Sequence, residues 1–108
     1  MAGPLKQVTF VHYLAPGVIS RVRFARQRGQ VIQFSIQLEC WIANEWHRVV
    51  RYDTAHGFAH LDILRPDGSQ EKLELPFESF NEALTFAQLD LKANWPTYRE
   101  RYERWLAK

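Results

Sequence analysis

The feature that most constrains the fold is a strict alternation of apolar and polar side chains within residues 31–43. The apolar members are Ile32, Phe34, Ile36, Leu38, Cys40 and Ile42, and the polar residues between them are Gln33, Ser35, Gln37 and Glu39. Because successive side chains of a β-strand point to opposite faces of the sheet, this pattern is typical of an antiparallel strand with one buried face. The chain is therefore expected to form a sheet with one apolar and one polar face.

Further segments with strand signals predict an antiparallel meander. They are residues 6–13, 18–27, 46–53, 58–65 and 69–75. The turn signals Ala15-Pro16-Gly17 and Pro66-Asp67-Gly68 separate neighbouring strands. A sheet of five or six strands is expected from this spacing.

The register between the second and third strands follows from side-chain parity. A three-residue loop at residues 28–30 pairs Phe24 with Phe34 and Val22 with Ile36, so that apolar side chains stay opposite each other. A two-residue loop would instead place Phe24 opposite a glutamine. The longer loop is therefore predicted.

The same parity argument assigns faces to the other strands. Arg21 and Arg23 are expected to point away from the core, whereas the inward residues include Ala59, Leu61, Ile63, Leu73 and Leu75. For residues 46–53 two alternatives stay open. Either Trp46, Val50 and Tyr52 face inward, or Val49 and its neighbours do.

After Pro76 the apolar period changes from two to three or four residues, which predicts a helix over residues 80–107. Its apolar stripe consists of Leu84, Ala87, Leu91, Trp95, Tyr98, Tyr102 and Trp105. Ser79 is expected to cap the helix, and Glu82 has capping-box spacing from it. The stripe continues unchanged through Pro96, so one kinked helix or two nearly collinear helices are expected.

These elements predict an α+β fold, in which an antiparallel five- to six-stranded meander sheet carries one long C-terminal helix packed across a face. Residues 1–108 are expected to form a single domain, with the sheet in residues 1–76. A hydrophobic fraction of 46% is typical of a globular protein and argues against disorder. The single cysteine, Cys40, excludes a disulfide framework and a cysteine-based zinc site.

No apolar stretch is long enough to span a membrane, and no leader sequence opens the chain. We therefore expect a cytoplasmic protein without a membrane partner, and nothing in the composition calls for a cofactor. The net charge of +2 is distributed unevenly. Residues 1–50 hold Lys6, Arg21, Arg23, Arg26, Arg28 and Arg48 against the acidic residues Glu39 and Glu45.

The basic segment has two interpretations. Arginines bind phosphates in bidentate fashion, and a basic strand also discourages edge-to-edge pairing of sheets. Trp41 interrupts the polar face of its strand, so an outward tryptophan near arginines could stack a nucleic-acid base or anchor a protein. Arg21, Arg23 and Trp41 are therefore the candidate residues for binding nucleic acid or a protein partner.

Reactive side chains concentrate in one short segment. The candidate catalytic residues are Arg51, Tyr52, Asp53, His56, His60 and Asp62. On a strand His60 and Asp62 share one face, and His56 joins them if the strand begins that early. Histidines beside carboxylates suit divalent-metal binding, general acid–base catalysis or a hydrogen-bonded surface patch without chemistry. A third metal ligand, Asp53 or His47, would have to approach across the hairpin, and no metal ligand set is assigned.

The run Val49-Val50-Arg51-Tyr52-Asp53, followed by Gly57 and His60, resembles the TumE-like toxins of bacterial toxin–antitoxin modules. Where that family tends to show His-x-His, this chain has His60-Leu61-Asp62. The toxin resemblance implies an activity directed at RNA or translation, with a cognate antitoxin as partner. Residues 30–107, including Asn81-Glu82-Ala83-Leu84 and Asn94-Trp95, are also similar to a small uncharacterised bacterial domain family.

Two functions of different classes follow. In a toxin-like enzyme acting on RNA, His56 and His60 form the acid–base pair and Arg51 stabilises the phosphorane. Asp53 or Asp62 would then orient one imidazole. The alternative is a non-catalytic domain that binds protein or nucleic acid through its outer sheet face. The first and last strands also offer edges for a homodimer.

Overall fold

A computed structural model describes residues 3–108 and contains a six-stranded antiparallel sheet and one long helix. The strands are Lys6–Ala15 (β1), Val18–Gln27 (β2), Gln30–Ile42 (β3), Glu45–Asp53 (β4), His60–Leu64 (β5) and Gln70–Glu74 (β6). Each strand pairs with the next one along the chain, so the sheet is a simple meander. The helix, Phe80–Leu106 (α1), packs mainly against β3 and β4. The predicted α+β fold is confirmed.

The core lies between α1 and the face of the sheet that carries the alternating apolar residues of β3. Five of the six residues predicted for this face are buried, whereas the first of them, Ile32, is 43% exposed; the buried ones are Phe34, Ile36, Leu38, Cys40 and Ile42. The helix contributes the buried residues Ala83, Leu84, Ala87, Leu91 and Tyr102. Full burial of one large aliphatic side chain stabilises a fold by about 1.5–3 kcal/mol, so this layer holds the helix on the sheet.

The β2–β3 hairpin pairs Phe24 with Phe34, as predicted, but its turn is shorter than predicted. The turn contains only Arg28 and Gly29, both with positive φ, which is the geometry preferred by two-residue hairpin turns. A β-bulge at Ile32 adds one residue to β3 and restores the apolar pairing. The expected three-residue loop was wrong because parity alone does not distinguish a longer loop from a bulge.

A second β-bulge explains why parity left β4 undecided. The pairing of β3 with β4 shifts at Val49, so Val49 and Val50 are both buried. Beyond the bulge Tyr52 points to the core, whereas before it Trp46 lies on the opposite face with 48% of its surface exposed. Each of the two alternatives therefore describes part of the strand.

The helix begins and continues as its sequence suggests. Ser79 is the N-cap, and its side chain accepts a hydrogen bond from the backbone N–H of Glu82. The helix is uninterrupted through Pro96, so the single-helix alternative is the one observed. The side chain of Asn81 accepts a hydrogen bond from Val31 N and donates one to Gly29 O, which ties the first helical turn to the β2–β3 hairpin.

One predicted core residue of β6 lies outside the core. Leu73 pairs with Leu61 on the helix side of the sheet, yet 42% of its surface is exposed. This exposure agrees with the position of β6 at the edge of the sheet, since α1 packs mainly against β3 and β4. Leu73 therefore points to the predicted face of the sheet but is not buried there, whereas Leu75 packs against the core.

A polar contact crosses the apolar layer between sheet and helix. The hydroxyl groups of Tyr52 and Tyr98 both donate to one carboxylate oxygen of Asp90. Burial and the neighbouring carboxylate raise the pKa of Tyr98 to about 12 and raise the pKa of Tyr52 as well. Both phenols thus remain protonated donors and fix the position of α1 over β4.

Cys40 provides a direct test of this packing. Its side chain has no exposed surface, and burial raises the pKa of its thiol to about 11. Since the thiolate is the reactive species, we expect no reaction with an aromatic disulfide reagent at pH 8 while the protein is folded. One thiol per chain should react once urea unfolds it, as measured by release of the coloured thiolate. Rapid labelling without urea would contradict the burial of Cys40.

Among residues 3–108, no helix is both long and apolar enough to cross a membrane.

Candidate functional site

The sheet face opposite α1, here called the outer face, carries most of the candidate site residues. Directly paired residues of antiparallel strands share a face. One such row across the sheet consists of Arg21, Gln37, Arg51, Asp62 and Lys72. The adjacent row consists of Arg23, Ser35, Asp53, His60 and Glu74. The register therefore assembles residues that lie far apart in the sequence.

Four of the predicted catalytic residues meet in an ionic cluster, defined here as Arg51, Asp53, His60, Asp62 and Lys72. Arg51 bridges the two carboxylates, with its Nη2 3.0 Å from Asp62 Oδ2 and its Nε 3.1 Å from Asp53 Oδ2. His60 and Asp62 share a face, as predicted, but each has only 1% of its surface exposed. His60 and Asp62 are thus buried beneath the longer side chains of Arg51 and Lys72, which are partly exposed.

Both ring nitrogens of His60 have polar neighbours. Nδ1 lies 3.3 Å from the carbonyl oxygen of Phe58, and Nε2 lies 2.7 Å from Asp53 Oδ1. The Lys72 ammonium approaches the same Nε2 to 3.4 Å. The imidazole is therefore held in place from both sides, and a substrate atom would have to displace one of these groups to reach it.

The other residues proposed for catalysis lie elsewhere. His56 is exposed on a short 3₁₀ turn, Ala55–Gly57, because β5 begins only at His60. It does not share the strand face on which the acid–base pair depended. Tyr52 lies on the opposite face of the sheet, bound to Asp90.

Of the two residues suggested to approach across the hairpin, Asp53 does so, since it is paired directly with His60. His47 instead lies on the helix side of the sheet, where its Nδ1 is 3.4 Å from the Tyr102 hydroxyl. The third member of any ligand set is therefore a carboxylate rather than an imidazole.

The basic residues of β2 differ in their partners. Arg21 donates from Nε and Nη2 to the two carboxylate oxygens of Glu39, at 2.8 and 3.2 Å. The hydrogen bond from Arg21 lowers the pKa of Glu39 below its usual value, which favours the ionised carboxylate. The Glu39 side chain is only 11% exposed and that of Arg21 50%, so the guanidinium remains accessible. Arg23 is also exposed on the outer face.

Two tryptophans form an exposed aromatic pair at one end of the outer face. Trp41 and Trp46 are directly opposite each other on β3 and β4, with ring centroids 5.6 Å apart in an edge-to-face arrangement. Their exposed fractions are 43% and 48%. The expected outward orientation of Trp41 is observed, and the bulge at Val49 is what brings Trp46 onto the same face.

A basic groove of about 330 Å³ adjoins this aromatic pair. It opens because only residues 50–53 of β4 pair with β5, which leaves the first half of β4 without a neighbour on that side. Its lining includes Trp46, His47, Arg48, Arg51, Arg65 and Gln70, and none of the described residues that line it carries a carboxylate. We call it the arginine groove.

Arg65 and Lys72 are site residues that were not singled out from the sequence. Arg65 precedes the Pro66-Asp67-Gly68 turn, and its guanidinium lies 5.0 Å from the ring centroid of Trp105 on α1. Lys72 enters the ionic cluster through its pairing with Asp62. Knowing the complete strand register would have been enough to identify Lys72. Identifying Arg65 also requires the position of α1.

A larger groove of about 540 Å³ lies at the other end of the site and includes Arg23, Ser35 and Asp53. Among the described residues that line it, Arg23 is the only basic one, and much of the remaining wall is apolar, with Phe24, Phe34 and Phe80. The arginine groove is therefore the better match to an anionic ligand, although it is the smaller of the two.

Comparison with known proteins supports the broader of the two resemblances. No curated protein and no solved structure matches this sequence, and the likeness to TumE-like toxins is not supported. One protein family matches almost the whole chain, over residues 5–108. The chain therefore belongs to the family described as "Domain of unknown function (DUF7718)".

Proposed function

We propose that this protein binds single-stranded nucleic acid without acting on it chemically. The arginine groove would hold backbone phosphates, and the pair formed by Trp41 and Trp46 would stack bases. The observation that carries the proposal is the contiguity of these two features. Trp46 belongs to the aromatic pair and also lines the arginine groove, next to Arg48.

The chemistry of each part suits this ligand. Guanidinium groups bind phosphate oxygens in bidentate fashion, and neutralising phosphates releases counterions. Aromatic rings on an open sheet surface stack unpaired bases, which contributes about 1–3 kcal/mol per base. A single strand exposes both its bases and its phosphates, whereas a duplex keeps its bases stacked inside. The combination therefore favours single-stranded RNA or DNA over duplex.

The geometry favours binding over the toxin-like cleavage of RNA. Cleavage by an imidazole pair needs both histidines at one phosphate. Here His56 is exposed on a turn outside β5, whereas His60 is buried with both ring nitrogens occupied. Arg51 serves the arginine groove with part of its guanidinium but is also paired with two carboxylates.

We expect a double variant, Arg48→Gln with Arg65→Gln, to bind a fluorescent single-stranded oligonucleotide more weakly than wild type. If each arginine neutralises one phosphate, the slope of log affinity against log salt should fall by about 1.4. Trp46→Ala should weaken binding by about fivefold or more, because it removes a stacking ring. Fluorescence anisotropy over a series of salt concentrations measures both effects.

Arg104→Gln is the matched control, since Arg104 is an exposed arginine of α1 paired with Glu100 outside the groove. Its affinity and salt slope should equal those of wild type. Absence of binding by wild type at low salt, or equal losses in all variants, would refute the proposal. Cleavage of the oligonucleotide that His60→Ala abolishes would instead establish the toxin-like enzyme.

A further inference from the structure

The ionic cluster contains a set of donor atoms that suits a metal ion. One carboxylate oxygen each from Asp53 and Asp62 and one ring nitrogen of His60 all lie within 4.8 Å of one another. Imidazole nitrogen together with carboxylate oxygen is a ligand set used for zinc and manganese. A cluster of acidic groups alone would not indicate a metal site, but three further features of this cluster do.

The first feature is the orientation of His60. Its Nδ1 lies 3.3 Å from the carbonyl oxygen of Phe58, which can accept a hydrogen bond from a hydrogen on Nδ1. Its Nε2 faces the carboxylates of Asp53 and Asp62, at 2.7 and 3.5 Å, and a bound cation would replace a hydrogen between this nitrogen and the carboxylate oxygens. Metal-bound histidines show this same division, with one nitrogen on the metal and the other donating to a carbonyl.

The second feature is an unpartnered oxygen. Asp62 is 1% exposed, and its Oδ2 is bound by Arg51. Its Oδ1 is buried and accepts no hydrogen bond from any residue in the described range 3–108. A buried acceptor without a partner is costly, and a cation between Oδ1 and the imidazole would remove that cost.

The third feature is the cation that already stands there. The ammonium of Lys72 lies 3.4 Å from His60 Nε2 and 3.9 Å from Asp62 Oδ1. Lys72 is on the edge strand β6, and its side chain is 38% exposed, so it can turn out to solvent. The Lys72 ammonium therefore occupies the position that a metal ion would take, and a metal ion can displace it.

We propose that Asp53, His60 and Asp62 bind one divalent first-row transition cation, such as Zn²⁺ or Mn²⁺, in exchange for the Lys72 ammonium. Arg51 remains on the far oxygens of both aspartates and orients them. Lys72 acts as a built-in competitor, which lowers the affinity for the metal and stabilises the site without it. This inference does not depend on nucleic-acid binding.

The test uses tag-free full-length protein treated with a chelator and then dialysed. Titration with Co²⁺, followed by its visible absorption, should show saturation at one ion per chain, and Mn²⁺ should compete. Lys72→Met should bind Co²⁺ about tenfold more tightly, because it removes a positive charge beside the metal. Asp62→Asn removes a proposed ligand, so it should weaken binding by at least the roughly 10–100-fold typical of losing an outer-shell partner. Asp67→Asn, a change on the exposed β5–β6 turn, should leave the affinity unchanged.

Two results protect the test against misfolding. Lys72→Met removes an exposed edge residue and is expected to change affinity in the opposite direction from Asp62→Asn. Circular dichroism shows whether each variant is folded. The proposal is refuted if neither wild type nor Lys72→Met shows saturable binding, or if these two proteins bind Co²⁺ equally. Undiminished binding by folded Asp62→Asn would refute it as well.

Discussion

Replacing Ile36 with alanine is expected to lower the free energy of unfolding by about 2–5 kcal/mol. Ile36 is at a central position of β3, has no exposed surface and belongs to the layer beneath α1. The substitution removes apolar contacts and leaves a cavity that the surrounding strands and helix fill only in part. Equilibrium unfolding in urea measures the difference.

The same strand offers a matched control in Ile32. The β-bulge leaves Ile32 43% exposed, although it follows the same apolar alternation in the sequence. Ile32→Ala should therefore change the free energy of unfolding by no more than about 0.5 kcal/mol. Similar losses in the two variants would show that the bulge does not turn Ile32 out of the core.

Replacing Asp62 with asparagine is expected to cost about 3 kcal/mol of stability, the second large effect in this protein. The substitution keeps the shape of the side chain but removes the carboxylate paired with Lys72 and one of the two paired with Arg51, which keeps only Asp53. Since Arg51 and Lys72 are themselves 26% and 38% exposed, we expect the lower end of the range for a broken buried pair. Urea unfolding in chelator-treated buffer separates this effect from any bound metal.

Glu71→Gln is the control for Asp62→Asn. It removes a carboxylate from the neighbouring strand, but Glu71 is 51% exposed and its pair with Arg65 spans 3.6 Å. Exposed ion pairs contribute about 0–1 kcal/mol, so a small loss is expected here. If Asp62→Asn were as mild as Glu71→Gln, solvent would be screening the ionic cluster despite its burial.

Much of the fold could be predicted because its main signals are local. The alternation in β3 identified the buried residues from Phe34 to Ile42, and the change of period after Pro76 located α1. Ser79 was recognisable as a cap from its spacing to Glu82. These features depend on neighbours a few residues apart, which a single sequence displays directly.

The remaining features depend on contacts that a local pattern does not encode. The bulges at Ile32 and Val49 change parity without any glycine or proline to mark them. Lys72 reaches His60 only through the pairing of β5 with β6. The exposure of Leu73 depends on the position of α1. The periodicity of β6 alone does not predict that position.

For the candidate site, the sequence shows that reactive residue types are concentrated in one segment, but it does not show which of them meet in the folded protein. Arg51, Asp53, His60 and Asp62 do come together, because Asp53 pairs directly with His60 and Arg51 with Asp62. His56 does not join them, since it lies in the 3₁₀ turn Ala55–Gly57 that precedes β5. The sequence does not predict the arginine groove, because the groove forms where the pairing of β4 with β5 ends and not along a sequence motif.

The position of α1 in the chain has a consequence for synthesis. Every strand of the meander leaves the ribosome before the helix that covers its apolar face, and Asn81 then contacts a hairpin made some fifty residues earlier. Until residues 80–106 emerge, Ile36, Leu38 and their neighbours have no helical cover. A sheet that forms before this point has its apolar face exposed, and transiently exposed apolar surface is prone to aggregation.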